Sequence, residues 1–197
     1  MIVNIEKADE IPDFSNHLGD LDDIFFKSSA KRDFRTNEEQ QYFRDMSFGR
    51  YTVKHQDSFF VALNGGGRAI GYLAGCLKNP TKLGHFNDVT YFSYIEDICQ
   101  AYPARLHINI AEHYRGRGVG TALVERFVNW AEINSVPGIQ IVTSNTSRSV
   151  PFYRLRFTNY VSFVGIPGRH AWAAIPACWP SWRDKWMNYV LSATGEH

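Results

Sequence analysis

Three glycines spaced two residues apart stand between a predicted strand and a predicted helix, in the stretch HYRGRGVGTALVERF from His113 to Phe127. Residues 104–110 before them alternate apolar and polar side chains, which is typical of a β-strand. From Val119 to Trp130, apolar residues recur at helical spacing. A strand that passes through a glycine loop into a helix leaves backbone N–H groups pointing outward at the positive end of the helix dipole. The stretch therefore predicts an anion site, and a phosphate suits it best.

The glycines Gly116, Gly118 and Gly120 lack a Cβ atom, which lets the backbone take unusual dihedral angles and lets a phosphate approach its N–H groups closely. Arg115 and Arg117 add positive charge at the rim of the loop. The alternative is a purely structural turn between strand and helix. One glycine would suffice for such a turn, so the repetition favours a ligand.

Two common phosphate-binding motifs do not fit the spacing of these glycines. A P-loop needs a Lys directly after its last glycine, and none follows here. The dinucleotide fingerprint G-x-G-x-x-G/A would place Thr121 or Leu123 where Gly or Ala is required. It also needs a ribose-binding acid about 20 residues further on, whereas no Asp or Glu occurs between Glu132 and Asp184. The P-loop is excluded, and NAD and FAD are disfavoured.

Strands and helices alternate along the rest of the chain. The predicted strands are residues 1–5, 58–63, 69–74, 104–110 and 139–143. The predicted helices are residues 14–28, 36–46, which open on the capping box Thr36-Asn37-Glu38-Glu39, and 119–134. A Gly-rich turn joins the second and third strands, and residues 78–103 form a partly helical or looped insertion. No repeat or linker divides the chain, so we expect an α/β (α+β) fold in a single domain, residues 1–197.

Charge and composition exclude several kinds of partner. The chain has 21 Lys and Arg against 20 Asp and Glu, so a general attraction to nucleic acid or to an anionic membrane is not indicated. Charges occupy the N-terminus where a secretory signal would have its apolar core, and no run approaches the ~20 apolar residues of a membrane span. We expect a cytoplasmic protein. The scattered cysteines Cys76, Cys99 and Cys178 predict reduced thiols and no metal site.

The C-terminal third is locally basic. Arg148, Arg154, Arg156 and Arg169 lie inside the interval that has no Asp or Glu. The interval is either a chance run or a surface that faces an anionic ligand.

The pattern R-x-x-G-x-G from Arg115 to Gly120 resembles that of the GNAT acetyltransferases. The resemblance includes the strand before the loop, the helix, the next strand, and the later Asn145, Phe152-Tyr153 and Phe157. The stretches YPARLHINIAEHYRGRGVGTALVERF and GIQIVTSNTSRSVPFY are most similar to the branch that includes the acetyltransferase-like domain joined to O-GlcNAcase and its stand-alone microbial relatives. The similarity covers roughly Ser58 to Phe157.

The resemblance implies a mixed, twisted central sheet flanked by helices, with acetyl-CoA as co-substrate. The pantetheine arm would run like an extra strand in a gap between the two strands that flank the helix, bonded by Asn145 and by the backbone of Ile108, Asn109 and Ile110. The pyrophosphate would be held by the loop residues Arg115, Gly116, Arg117, Gly118, Val119, Gly120 and Thr121.

By the same resemblance, Tyr153 protonates the departing CoA sulfur; the alternative is a packing residue, because the spacings to Asn145 and Phe157 each differ from the usual pattern by one residue. His107 is our candidate general base, since it lies on the polar face of its strand and titrates near neutrality. Its alternatives are a satisfied core histidine, the carboxylates Glu96 and Asp97, or proton removal by ordered water.

These features predict an acetyl-CoA-dependent N-acetyltransferase that moves an acetyl group directly to the primary amine of a small molecule or peptide. A catalytically silent acetyl-CoA-binding module and an enzyme for larger acyl groups are the alternatives. Residues 170–197 form a Trp-rich C-terminal extension. It is expected to dock on the domain's own sheet, and the alternatives are a homodimer contact or a wall of the acceptor pocket.

Overall fold

Six strands form one mixed sheet in the order β1-β2-β3-β4-β5-β6 in the computed structural model, which describes residues 2–143, 147, 149–154 and 170–174. The strands are β1 Val3–Lys7, β2 Phe59–Asn64, β3 Ala69–Cys76, β4 Ala104–Ile110, β5 Ile139–Thr143 and β6 His170–Ala174. Neighbouring strands are antiparallel, except for the parallel pair β4 and β5. The predicted α/β fold with a mixed sheet is confirmed.

Helices cover both faces of this sheet. They are α1 Leu18–Ser28, α2 Asn37–Arg44, α3 Tyr51–Lys54, α4 Glu96–Ala101, α5 Val119–Ile133 and α6 Val150–Arg154, and a π-helical turn, Asp45–Gly49, joins α2 to α3. Side chains alternate along β2, so that Phe59 and Val61 pack toward α1 while Phe60 and Ala62 pack toward α5. The sheet therefore separates two hydrophobic cores.

Local sequence explains where two of these elements begin and end. Thr36 caps α2, as the capping box predicts, because its Oγ1 accepts the backbone N–H of Glu39 at 3.2 Å. In the β2–β3 hairpin, Asn64 Oδ1 accepts the backbone N–H groups of Gly66 and Arg68, both at 3.0 Å. The hairpin turn is thus fixed by one side chain together with the backbone bonds from Asn64 N–H to Arg68 and from Gly67 N–H to Asn64.

The predicted insertion between β3 and β4 is built from 3₁₀ turns and the short helix α4. The turns are Pro80–Lys82, Gly84–Phe86 and Thr90–Tyr94. Phe86, Phe92 and Ile98 are almost fully buried in the α1-side core. The insertion therefore packs as part of the domain.

Helix α5 is seated on the sheet by a close contact between Phe127 and Gly75. A Cβ atom added to Gly75 would overlap the Phe127 ring and the Ser58 carbonyl oxygen. Any other residue at position 75 would push α5 away from β3. The beginning of α5 is therefore placed relative to the sheet by a packing contact about two helical turns away.

Strands β4 and β5 separate after a short parallel pairing. Their register consists of Ala104 with Ile139 and Arg105 with Gln140, and no later pair of β4 and β5 residues occurs in the described part of the chain. Strand β4 nevertheless continues to Ile110 and β5 to Thr143. A gap therefore opens between the two strands on the side where α5 begins.

The first five residues of the predicted C-terminal extension form β6, which pairs with the whole of β5. Trp179, Trp182 and Trp186 lie outside the described residues. Of the helices that the structure describes, none combines the length and the apolar composition needed to cross a membrane. Cys76 and Cys99 are buried free thiols.

Candidate active site

The glycine loop has a backbone that only glycine adopts readily. Gly116 and Gly118 have positive φ values of 71° and 84°, in the left-handed region that costs other residues about 1–2 kcal/mol. A Cβ atom added to either would meet nothing within 4 Å. The two glycines are therefore required for backbone conformation and leave open space in front of the loop.

Helix α5 begins at Val119, directly behind this open space. The N–H of Ala122 makes the first intrahelical bond, to the carbonyl of Gly118 at 3.0 Å. The N–H groups of Val119 and Gly120 precede it and have no intrahelical acceptor. The positive end of the helix dipole lies at the same point. The geometry provides backbone donors for an anion.

A cleft of about 480 Å³, the loop cleft, runs from the end of β4 across this loop. Phe152 of α6 closes one side, and a Cβ atom added to Gly120 would lie 3.4 Å from its ring. The cleft is lined by Ile108, Asn109, Ile110, Tyr114, Arg115, Gly116, Gly118, Gly120, Thr121, Ser149 and Phe152.

The two arginines of the loop have different environments. Arg117 is exposed at the rim, as expected for a residue that meets a phosphate. Arg115 instead turns inward, where its Nε donates to the Ile110 carbonyl at 2.9 Å and its Nη2 to Ser28 Oγ at 3.0 Å. Arg115 thus joins the end of β4 to the end of α1, which differs from the expected position at the rim.

Backbone groups of β4 point alternately to β3 and into the gap beside β5. Ala111 donates its N–H to the Ile70 carbonyl at 2.9 Å, and Asn109 pairs with Tyr72 in the same antiparallel ladder, so both residues face β3. Ile108 and Ile110 therefore face the gap. The expectation that Asn109 offers its backbone to the pantetheine arm does not fit this alternation, and only its side chain reaches the site.

A second cleft, the polar cleft, has a volume of about 500 Å³ and runs along the polar side chains of β4. Arg105, His107 and Asn109 form a row along it. The end of α1, the π-helical turn, β5 and α6 provide its other walls. The loop cleft and the polar cleft share Ile108, Asn109 and Ser149. Two binding spaces therefore meet at the separation of β4 and β5.

His107 is fixed in one neutral form by its hydrogen bonds. Its Nδ1 lies 3.2 Å from the carbonyl of Ser47, which can only accept, so Nδ1 carries the proton. Its Nε2 lies 3.1 Å from Asn109 Nδ2, which also donates to Tyr72 Oη at 2.9 Å. Burial lowers the pKa of His107 to about 4, outweighing the hydrogen bond to Ser47. The imidazole is neutral at physiological pH and its lone pair accepts from Asn109.

Tyr153 lies on α6 in the wall of the polar cleft, where it is buried. Burial raises the pKa of its phenol far above the usual value, and a hydrogen bond with Ser149 opposes this shift weakly. The phenol is therefore protonated at neutral pH. Asn145 and Phe157, which the resemblance places beside it, lie outside the described residues.

The polar cleft has no carboxylate among its described lining residues. Glu96 and Asp97, the alternative bases, are exposed at the start of α4, where Glu96 accepts from Lys82 Nζ at 3.3 Å. In the part of the chain that the structure describes, no three His, Cys, Asp or Glu side chains are grouped to hold a metal ion.

Sequence reasoning missed two contributors to the site. Ser47 fixes the His107 tautomer from a π-helical turn that no simple periodicity predicts. Arg105 also lines the polar cleft, and the signal for it was its position on the same polar face of the predicted strand as His107.

Comparison with known proteins agrees with this geometry. A profile of the "Acetyltransferase (GNAT) family" matches residues 24–157, while no curated protein matches. Among similar solved structures, that of SsHAT has a TM-score of 0.65 and 20% identity, covering 87% of this chain and 96% of its own. PH1933 from Pyrococcus horikoshii OT3 has a TM-score of 0.62 and 17% identity, covering 88% and 99%.

A third similar structure is the PaiA N-acetyltransferase from Thermoplasma acidophilum, solved in complex with coenzyme A. Its TM-score is 0.58 at 11% identity, with coverage of 88% of this chain and 99% of its own. At these identities the structures show a shared fold. The family profile spans well over half of the sequence, including β2 to β5 and the glycine loop. This chain belongs to the GNAT acetyltransferase family.

Proposed function

We propose that this protein is an acetyl-CoA-dependent N-acetyltransferase that moves the acetyl group directly to a primary amine. One observation carries the proposal: a cleft that begins at a loop of backbone donors and a cleft lined by polar side chains meet at Ile108, Asn109 and Ser149. Such a junction brings a thioester and an amine together without a covalent enzyme intermediate.

The described residues fit the shape and charge of CoA. The open space before Gly116 and Gly118 and the donors at the start of α5 suit a pyrophosphate. Ile108 and Ile110 face the gap with their backbone groups, as an extended pantetheine arm requires, although Arg115 already occupies the Ile110 carbonyl. The structural relative from Thermoplasma acidophilum carries coenzyme A in its crystal structure.

Bound acetyl-CoA supplies an acetyl group activated as a thioester. Tyr153 would donate its phenolic proton to the departing sulfur, since the raised pKa keeps that proton in place at neutral pH. His107 would accept the proton of the amine at Nε2, once the amine displaces the Asn109 amide from that atom. Where the Asn109 bond persists, ordered water takes the proton instead.

A catalytically silent acetyl-CoA-binding module is the second candidate. It is favoured by the low basicity of His107 and by the absence of a carboxylate among the described residues of the polar cleft. The relation to the O-GlcNAcase-associated branch, the homodimer and the cytoplasmic location stay predictions from the sequence.

The test combines binding and turnover in one preparation. We would titrate the protein with acetyl-CoA by calorimetry and follow thiol release with a panel of primary amines. Binding with amine-dependent thiol release is the expected result. Binding without release from any amine would favour the silent module, and absence of binding would contradict both candidates.

A further inference from the structure

Arg105 is a buried cation in the wall of the polar cleft, only 9% exposed. Its guanidinium carbon lies 4.7 Å from the ring centroid of Phe92, 5.4 Å from that of Phe86 and 5.7 Å from that of Tyr51. Its Nη2 donates to Tyr91 Oη at 3.0 Å. Aromatic rings and one phenol thus hold the guanidinium in a fixed orientation.

No carboxylate neutralises this charge within the described part of the chain. None of the ion pairs there includes Arg105. Burial opposes a raised pKa for Arg105, and the nearby groups that act to raise it are the phenols of Tyr51 and Tyr91 and the thiol of Cys76, none of which is a carboxylate. Its Nη1 is buried and has no hydrogen-bond partner. A buried charge in this condition is costly unless a ligand pairs with it.

The surrounding walls leave Arg105 as the cation that an anionic ligand would meet. Lys31 is the other cationic side chain on the described lining of the polar cleft, but it is paired with Glu39 at 2.6 Å. The sequence has no Asp or Glu between Glu132 and Asp184, so β5 and α6 add no negative charge. The guanidinium therefore keeps its full attraction for an anion.

We propose that Arg105 binds a carboxylate of the acceptor, a proposal that rests on the proposed function. The enzyme then acetylates an amine at the other end of an amino carboxylate. A carboxylate is favoured over a phosphate because its single charge is balanced by one guanidinium, whereas a phosphate dianion would keep one buried negative charge without a partner. The planar fork of the guanidinium also matches the two oxygens of a carboxylate.

The position of Arg105 limits the length of the acceptor. Arg105 precedes Ile108, at the junction of the two clefts, by three residues, or about 10 Å along an extended strand. Because this distance separates two backbone positions on β4, we expect an amine and a carboxylate on the same carbon to lie too close together to meet both. Acceptors with several methylene groups between the amine and the carboxylate, or an equivalent side-chain amine of an amino acid, span the distance.

The experiment uses the homologous ω-amino carboxylates from glycine to 6-aminohexanoate, each beside its matched carboxamide. Affinities are measured by calorimetry for the protein saturated with CoA, and acetyl transfer is followed by thiol release from acetyl-CoA. We expect the longer acids to bind about tenfold to a hundredfold more tightly than their amides. In Arg105→Gln this ratio should fall below about threefold, while Lys31→Gln, the matched control, should keep it.

Equal affinity for acid and amide at every chain length would overturn the proposal, and so would a preference that survives in Arg105→Gln. Absence of binding by any acid would overturn it as well. The ratio of acid to amide affinity is measured on the unaltered protein, so the proposal can be tested even if Arg105→Gln does not fold. Ligand affinity is measured without turnover, so a missing preference for acids can be distinguished from missing acetyl transfer. A silent module would bind the acids without releasing thiol.

Discussion

The loop cleft and the polar cleft meet at Ile108, yet they are built from different kinds of atoms and from different parts of the chain. The loop cleft uses mainly one stretch, Ile108 to Thr121, and offers backbone groups. The polar cleft collects side chains from α1, the π-helical turn, the insertion, β4, β5 and α6. A site made of backbone groups can bind the same ligand in proteins of many different sequences. The specificity of a site made of side chains changes with each substitution. The first cleft therefore suits a common co-substrate and the second a particular acceptor.

The sharpest test of this division is Tyr153→Phe, which removes a hydroxyl in the polar cleft and keeps the ring. We expect kcat to fall about a hundredfold, because a positioned general acid contributes at least that much. Acetyl-CoA affinity should change by less than about twofold. Steady-state kinetics and calorimetry measure the two effects, with the exposed Tyr94→Phe as control. An unchanged kcat would assign Tyr153 to packing.

The converse test is Gly118→Val, which alters the loop cleft and leaves the polar cleft intact. A β-branched residue is strained at the φ of 84° found there, so we expect the loop to rearrange and acetyl-CoA affinity to fall about tenfold or more.

Gly67→Val is a matched control for this test, since Gly67 has a φ of 75° and equally open space but lies in the β2–β3 hairpin. It should lower the free energy of unfolding by a similar amount and leave acetyl-CoA affinity unchanged. Equal loss of affinity in both variants would mean that general destabilisation, and not the loop, explains the effect.

A smaller expected effect is the pH dependence of the free energy of unfolding, to which one histidine in the polar cleft and one elsewhere in the core contribute. Burial lowers the pKa of His107 to about 4, and burial together with the nearby charge of His85 lowers that of His55 to about 4. Both values lie below the unfolded pKa of about 6.5, so the folded state takes up fewer protons than the unfolded chain. The stability these residues contribute is complete above about pH 6.5 and is lost as pH falls toward 4, by about 1–3 kcal/mol for each histidine.

Urea unfolding at pH 7.5 and pH 4.5 measures this loss. His107→Gln and His55→Gln should each reduce the pH dependence of the free energy of unfolding. Only His107→Gln is expected to change kcat as well, because His55 is buried against His85, away from both clefts. If His107→Gln left the pH dependence unaltered, the neutral buried state of His107 would be contradicted.

The same division explains what could be predicted from the sequence. The strand, glycine loop and helix from Ala104 to Ile133 were predictable because periodicity and glycine spacing are local signals. So was the cap of α2, since Thr36 and Glu39 lie three residues apart. Local interactions fix these elements before any tertiary contact is considered.

The polar cleft was harder to predict, because its properties depend on contacts between distant parts of the chain. His107 was identified from its place on the polar face of a strand, but its low pKa follows from burial by distant parts of the chain, which outweighs the opposite effect of the hydrogen bond to Ser47, 60 residues earlier. Arg105 gains its importance from Tyr91 and Phe92 of the insertion, which has no regular pattern. No spacing rule indicates such partners.

The separation of β4 and β5 affects how the sheet holds together as well as what it binds. Among the described residues, the ribbon of β5 and β6 has five residue pairs within itself but only two pairs that join it to β4. A ligand lying in the gap would bond to the exposed edge of β4 and restore continuity between the two parts of the sheet. Occupancy should then couple the ribbon to the rest of the fold, so that backbone amides on both sides of the gap exchange hydrogen more slowly together. In this sense a co-substrate bound in the gap would act as a further strand, and its presence would decide whether the sheet unfolds as one cooperative unit or as two.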